Sequence, residues 1–181
     1  PYKLIISDDQ STDNSIEIVD NYVEKYDWIV LKKNENNLGV NANVNSTIDF
    51  VETKYCIFAA ADDFLDSDYI FRANKLIQNN GEVGLLCSPT YQFSESKGIE
   101  GFYGSTFISN KVKKLNTSKF KKTFLMHGVF FKGATSIYNI EIFKKYGGYS
   151  EKIGSYADTV IAYICGSYGG CIYDPKPGAF C

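Results

Sequence analysis

Four short apolar runs, at residues 4–6, 28–31, 55–61 and 83–87, are separated by segments whose apolar residues recur at helical spacing. Ile16, Val19, Tyr22 or Val23, and Tyr26 form the first stripe; Val40, Val44, Ile48 and Val51 the second; Tyr69, Ala73, Leu76 and Ile77 the third. A period near 3.6 between runs of strand length predicts amphipathic helices between strands. Strand–helix–strand alternation implies right-handed crossovers. The expected fold class is therefore α/β, with a mostly parallel central sheet and helices on both faces.

The run at 55–61 holds no charge, proline or glycine and ends on Asp62-Asp63. It reads as a strand buried on both faces of a parallel sheet. Its two carboxylates then stand at the carboxyl end of the strand, the edge where open α/β sheets bind ligands. Two carboxylates ~4 Å apart repel by roughly 4 kcal/mol at an effective dielectric near 20. A hard divalent cation, Mg²⁺ or Mn²⁺, shared with substrate phosphates offsets that cost. A solvated turn that caps the next helix offsets it equally well, because Asp is common in turns.

The remaining elements follow the same signals. Ser7 to Asp13 is a polar loop, and Asn14 with Glu17 resembles a capping box. A charged, Asn-rich loop precedes Gly39, where the second helix begins. Ser67 or Asp68 caps the third helix, and Asn79-Asn80-Gly81 stops it. Residues 94–116 carry weak periodicity and suggest a surface excursion or lid. Residues 118–126 suggest a short helix, 134–138 a strand, and 140–146 a helix ended by Gly147-Gly148. Ser155 is placed to cap a helix carrying Ala157, Val160, Ile161 and Ile164, which Gly169-Gly170 ends. A short strand at 171–173 precedes the break at Pro175-Lys176-Pro177-Gly178.

With 181 residues and 44% hydrophobic content, one domain with a real core is expected. A formal net charge of −2 offers no electrostatic case for nucleic acid or an anionic membrane surface. Cysteines at 56, 87, 165, 171 and 181 form no CxxC pair. They read as reduced thiols of a cytoplasmic protein, without a disulfide framework or zinc site. No apolar stretch is long enough to span a membrane, and no signal peptide is visible. The chain opens on Pro1 and enters a strand almost at once, as an excised piece of a longer protein would.

Three acidic stations now stand in order: Asp8-Asp9, Asp62-Asp63 and Asp158. Together with Ile5-Ile6-Ser7-Asp8-Asp9-Gln10-Ser11-Thr12-Asp13, Asn37-Leu38-Gly39 and Gly147-Gly148-Tyr149-Ser150, they resemble the family 2 glycosyltransferases of GT-A fold. The resemblance covers nearly the whole chain. It implies an inverting transferase that moves a sugar from a nucleotide-diphospho-sugar donor to a hydroxyl of a glycan or lipid-linked acceptor in polysaccharide or other cell-surface glycan synthesis. Carried over by position, Asp9, with Asp8 beside it, serves the nucleobase and Asp62 the ribose or sugar. Asp63 holds Mn²⁺ or Mg²⁺ on the diphosphate, and Asp158 is the catalytic base. It further implies a nucleotide-binding half at 1–90, an acceptor-binding half at 91–181, and peripheral association of the full-length protein with the inner face of the membrane.

Local chemistry supplies plainer readings for several of these residues. Asp8 and Asp9 also suit turn amides, Asp13 suits a helix start, and Asp158 suits a solvated helix face. Glu151 is a second candidate for the base, and His127 is either structural or close to diphosphate or acceptor. The chain departs from the family where a first strand and helix are expected before residue 1, and where Asn43-Val44-Asn45 replaces an Ala-Arg-Asn run. A nucleotidyltransferase acting on sugar phosphates and a non-catalytic sugar-binding or assembly domain are the alternatives.

Overall fold

The computed structural model describes residues 3–94, 96–103 and 106–181. The expected lead-in at Pro1-Tyr2 and positions 95, 104 and 105 of the expected excursion lie outside them. The packing divides the chain into two units. One runs to Glu52 and includes Tyr149–Gly154; the other comprises Thr53–Gly148 and Ser155–Cys181.

In the first unit, β1 (Leu4–Asp8) and β2 (Ile29–Lys33) pair in parallel, from Leu4 opposite Ile29 to Asp8 opposite Lys33. The crossover between them is α1 (Ser15–Val23), which half-buries Ile16, Val19 and Val23 and leaves Tyr22 exposed. The capping box does not form: Asn14 makes no side-chain cap, and Asp13 Oδ1 accepts from the Ser15 amide at 3.0 Å instead.

The second helix, α2 (Val40–Ser46), is shorter than its apolar stripe suggested, and Val40 is 77% exposed. Asparagines hold it. Asn43 Nδ2 donates to the Ser7 carbonyl at 3.2 Å while its Oδ1 accepts from Ser7 Oγ at 2.6 Å. Asn45 Nδ2 donates to the Tyr149 carbonyl at 2.7 Å, and its Oδ1 accepts from the Tyr149 amide at 2.9 Å. Tyr149 is thus tied to α2 by a paired amide contact.

The second unit is built on a five-stranded sheet in the order β3 (Tyr55–Ile57), β9 (Ile137–Asn139), β5 (Leu85–Cys87), β10 (Cys171–Tyr173) and β8 (Lys113–Leu115). The expectation of a mostly parallel sheet is corrected in its pairing. β5 and β10 pair in parallel, but β9 runs antiparallel to both β3 and β5, and β8 antiparallel to β10. The shared direction of β3, β5 and β10 is what crossovers require; β9 returns from the opposite end and wedges between β3 and β5. The expectation that β3 is buried on both faces is also corrected. It is an edge strand of this sheet, its residues are half-buried, and residues 59–62 are exposed.

Helices cover both faces. On one, α3 (Tyr69–Asn80) packs Tyr69 and Ala73 against Leu86, Ile137 and Ile172, and Gly81 ends it at φ +78°. On the other lie α5 (Ile140–Lys145) and α6 (Ala157–Gly169). Here α6 approaches so closely that a Cβ at Gly84 would meet the Cys165 carbonyl oxygen at 1.9 Å. Ser155 does not cap α6; Tyr156 occupies that position. Against α6 lies α4 (Thr117–His127), capped by Asn116, whose side chain accepts from the Lys119 amide at 2.9 Å.

The expected excursion at 94–116 contains regular structure. β6 (Thr90–Ser94) and β7 (Gly98–Phe102) form a hairpin within a four-stranded sheet ordered β4 (Phe64–Leu65), β11 (Ala179–Phe180), β6, β7. Glycines and exposed aromatics on β6 and β7 blur the alternation that would have marked them as strands. No helix of the described residues is long and apolar enough to cross a membrane.

Candidate functional site

Asp8 and Asp9 stand at the carboxyl end of β1. Asp8 Oδ2 accepts from the Gln10 and Ser11 amides, each at 3.1 Å, and closes the turn that leaves Gln10 at φ +69°. Asp9 reaches the loop before α2. Its Oδ1 accepts from the Leu38 amide at 2.9 Å and from Asn34 Nδ2 at 2.8 Å; its Oδ2 accepts from the Gly39 amide at 2.8 Å. The Leu38 amide is the chief cause that holds the Asp9 carboxyl below the usual carboxylate range, with Asn34, Gly39 and the Lys32 charge adding to it against desolvation. Three of about four acceptor directions of a carboxylate are therefore committed inside this unit.

In the second unit, the chain turns after β3, with the Asp63 amide donating to the Ala60 carbonyl at 3.3 Å. Asp62 is exposed and Asp63 half-buried. β4 begins directly after them, with Phe64 opposite Phe180 of β11, which brings Cys181 beside Asp63. Burial, then a hydrogen bond to Asp63 and the charges of Asp63 and Asp62, pushes the Cys181 thiol up to about 12, while Lys132 opposes this. Lys132 has its ammonium 5.0 Å from the Tyr103 ring centroid.

Asp158 occupies the first turn of α6 and is half-buried. Its Oδ1 accepts from the Thr159 amide at 2.5 Å and from Thr159 Oγ1 at 3.2 Å. Its Oδ2 points to Gly133, where a Cβ would stand 2.6 Å away. Gly133 opens a 3-10 turn over residues 133–135 that leads into β9. Ile137 of β9 is opposite both Ile57 and Leu86, so this turn sits at the carboxyl ends of β3 and β5. Thr135 Oγ1 fastens it by donating to the Ser88 carbonyl at 2.6 Å. Gly133 therefore faces Asp158, and the residue before it, Lys132, acts electrostatically on the Cys181 thiol that hydrogen-bonds Asp63.

Sequence reasoning missed one polar network of this unit. Arg72, the chain's one arginine, donates from Nε to Asp174 Oδ2 at 2.7 Å, from Nη1 to Asp66 and Asp68, and from Nη2 to the Pro177 carbonyl at 3.0 Å. It ties α3 to the loop between β10 and β11, the strand that positions Cys181. The i,i+4 spacing of Asp68 and Arg72 was visible; nothing local marked Asp174. Glu151 and His127 are exposed, and His127 borders a lysine-lined groove with Lys113, Lys114 and Lys119.

Among the described residues, no group of three or more His, Cys, Asp or Glu side chains is arranged to hold a metal. The pair Asp62-Asp63 fits the other mode, in which one or two carboxylates bind a hard cation and substrate phosphates and water complete the shell.

The family model described as Glycosyl transferase family 2 matches residues 1–147. The poly(ribitol-phosphate) beta-glucosyltransferase of Bacillus spizizenii is 33% identical over 102 residues, which cover 55% of this chain and 15% of that protein. Among solved structures, S. aureus TarS 1-349 in complex with UDP superposes with a TM-score of 0.76 at 18% identity, over 99% of this chain and 50% of that one. The mannosyltransferase PcManGT of Pyrobaculum calidifontis, in complex with GDP-Man and Mn²⁺, gives 0.66 at 14% identity, over 98% and 47%. These likenesses show the fold, the α/β architecture of GT-A glycosyltransferases. The chain spans about half the length of the solved structures it matches and less of the curated relatives.

Proposed function

As the chain belongs to glycosyltransferase family 2, we propose that it is the catalytic part of a metal-dependent, inverting transferase. It moves a sugar from a nucleotide-diphospho-sugar to a hydroxyl of a glycan or lipid-linked acceptor. The observation that carries this reading is that Asp158 lies against Gly133, in the turn at the carboxyl ends of β3 and β5, the kind of edge where α/β sheets bind ligands, and that Asp62-Asp63 follows β3 at its carboxyl end.

Asp158 takes the proton from the acceptor hydroxyl as its oxygen attacks the anomeric carbon. The bond from that carbon to the diphosphate oxygen breaks, and the nucleoside diphosphate leaves with the electron pair. A single displacement of this kind inverts the anomeric centre. A base within hydrogen-bond reach contributes typically ~10²–10⁴-fold. Asp63, with Asp62 beside it, would hold Mn²⁺ or Mg²⁺, which supplies neutralisation of charge on the leaving diphosphate. Asp9 keeps one acceptor direction for a base N–H, and Asp8 holds the turn that aims it. Residues 1–90 serve the donor and residues 91–181 the acceptor.

The Bacillus relative's name supports a polymeric acceptor, and the UDP and GDP-Man complexes of TarS and PcManGT support the donor class. Five free thiols suit a reducing, cytoplasmic setting. The test is a thermal-shift screen of UDP-, GDP-, CDP- and TDP-sugars on the full-length protein, with and without Mn²⁺. One donor raises Tm only with metal; Asp63→Ala abolishes the shift, whereas Asp158→Asn keeps it and loses turnover. No shift with any donor, or release of pyrophosphate from an NTP and a sugar phosphate, overturns the reading.

A further inference from the structure

Residues 101–140 hold seven of the chain's 19 Lys and Arg and none of its 21 Asp and Glu. The net charge of −2 therefore conceals a strongly basic segment in an otherwise acidic chain. α4 lies at its centre. Phe120 is fully buried, and Phe124 packs against Tyr163 at 4.6 Å and Phe131 at 6.1 Å between ring centroids, which fixes the inner side of the helix. With 3.6 residues per turn, the outer side carries Lys119, Lys121, Lys122, Leu125 and Met126. Leu125 is 82% exposed and Met126 64%.

Two further lysines, Lys113 and Lys114 of β8, share a groove of about 290 Å³ with Lys119, Thr123 and His127. Among the described residues, no carboxylate lies within ion-pair distance of any lysine of the segment. Lys121 instead sits 5.8 Å from the ring centroid of Tyr168, itself exposed.

One exposed leucine needs no explanation. An adjacent Leu-Met pair among cations without counter-charges is a different surface. A dissolved polyanion would neutralise the lysines and leave Leu125 and Met126 in water. An anionic lipid surface answers both, because phosphates meet the ammonium groups while the apolar tips enter the boundary beneath them. We propose that the outer face of α4 docks on an anionic lipid bilayer as a peripheral contact. The inference rests on this surface and not on the roles of the carboxylates, so each can fail while the other stands.

The experiment is co-sedimentation of the full-length protein with vesicles of phosphatidylcholine alone and of equimolar phosphatidylcholine and phosphatidylglycerol. Binding is expected to the mixed vesicles only, and to weaken with added salt. Removing one lysine near the surface lowers partitioning about fivefold, so K121E/K122E is expected to lower it at least about 25-fold. L125S/M126S, at exposed positions where Tm is expected to hold, lowers it about tenfold or more and leaves binding to soluble inorganic polyphosphate unchanged. Wild-type protein that ignores the mixed vesicles overturns the inference. So does L125S/M126S that binds them like wild type while polyphosphate competes it off, the signature of a polyanion site.

Discussion

Replacing Gly133 by alanine moves the proposed base without touching it covalently. The new methyl carbon would lie 2.6 Å from Asp158 Oδ2 and 3.4 Å from its Cβ and Cγ. Ordinary contact begins near ~3.5 Å, so Oδ2 must retreat by about 1 Å. The backbone at Gly133 is not left-handed and accepts alanine. Strain therefore falls on the end of a rotatable side chain, together with its bonds to Thr159. A 1 Å misplacement of a reacting group costs ~10²-fold, about 2.7 kcal/mol on the barrier. The disturbed hydrogen bonds cost about 1–2 kcal/mol, and alanine returns ~0.4–1 kcal/mol by restricting the unfolded chain. The net change of about 1 kcal/mol corresponds to a Tm shift of roughly 2–4 °C for a domain of this size. Steady-state transfer kinetics beside calorimetry should therefore show kcat down about 100-fold, donor KM nearly unchanged and Tm little altered. Unchanged kcat refutes the placement of Asp158; parallel collapse of Tm and activity makes the turn a folding element.

Two further outcomes follow from the same geometry. Arg72→Ala strands the Asp174 side chain, which is 5% exposed, without its partner; loss of one member of a buried pair costs about 3–5 kcal/mol. Urea unfolding should show that loss, and a change under ~1 kcal/mol would contradict the network. The Asp9 carboxyl titrates below its unfolded value of ~3.9, chiefly through the Leu38 amide. Its contribution is complete at neutral pH and is lost as pH falls below about 4 through the folded value. Amide exchange should find Leu38 and Gly39 protected at neutral pH and released in that window, with Asp9→Ala releasing them throughout; an unprotected Leu38 amide at neutral pH would refute the clamp.

The helices and their stops were legible because their signals are local. Gly81 and Gly170 take the positive φ that ends α3 and α6, and the stripes of α1 and α3 bury largely as their spacing indicates. Strand direction was not local. The run that becomes β9 is three residues long, and its antiparallel course depends on partners at Tyr55–Ile57 and Leu85–Leu86, far away along the chain. β11 is shorter still and follows two prolines, yet it brings Cys181 to Asp63.

The site divides along the same line. Residue types that carry chemistry stand out in a sequence; the groups that claim them do not. Asp8-Asp9 was visible as a pair, but nothing at those positions announces that amides from Leu38 and Gly39 occupy most of Asp9. Asp158 was visible as one late carboxylate among several candidates. What singles it out is Gly133, a glycine with no left-handed backbone to explain it, whose missing side chain is the space that Oδ2 fills. A close approach of this kind places a residue more firmly than its chemistry does, because any side chain at Gly133 would have to displace the carboxylate. Gly133 is therefore the residue on which the assignment of the base depends, although it carries no functional group.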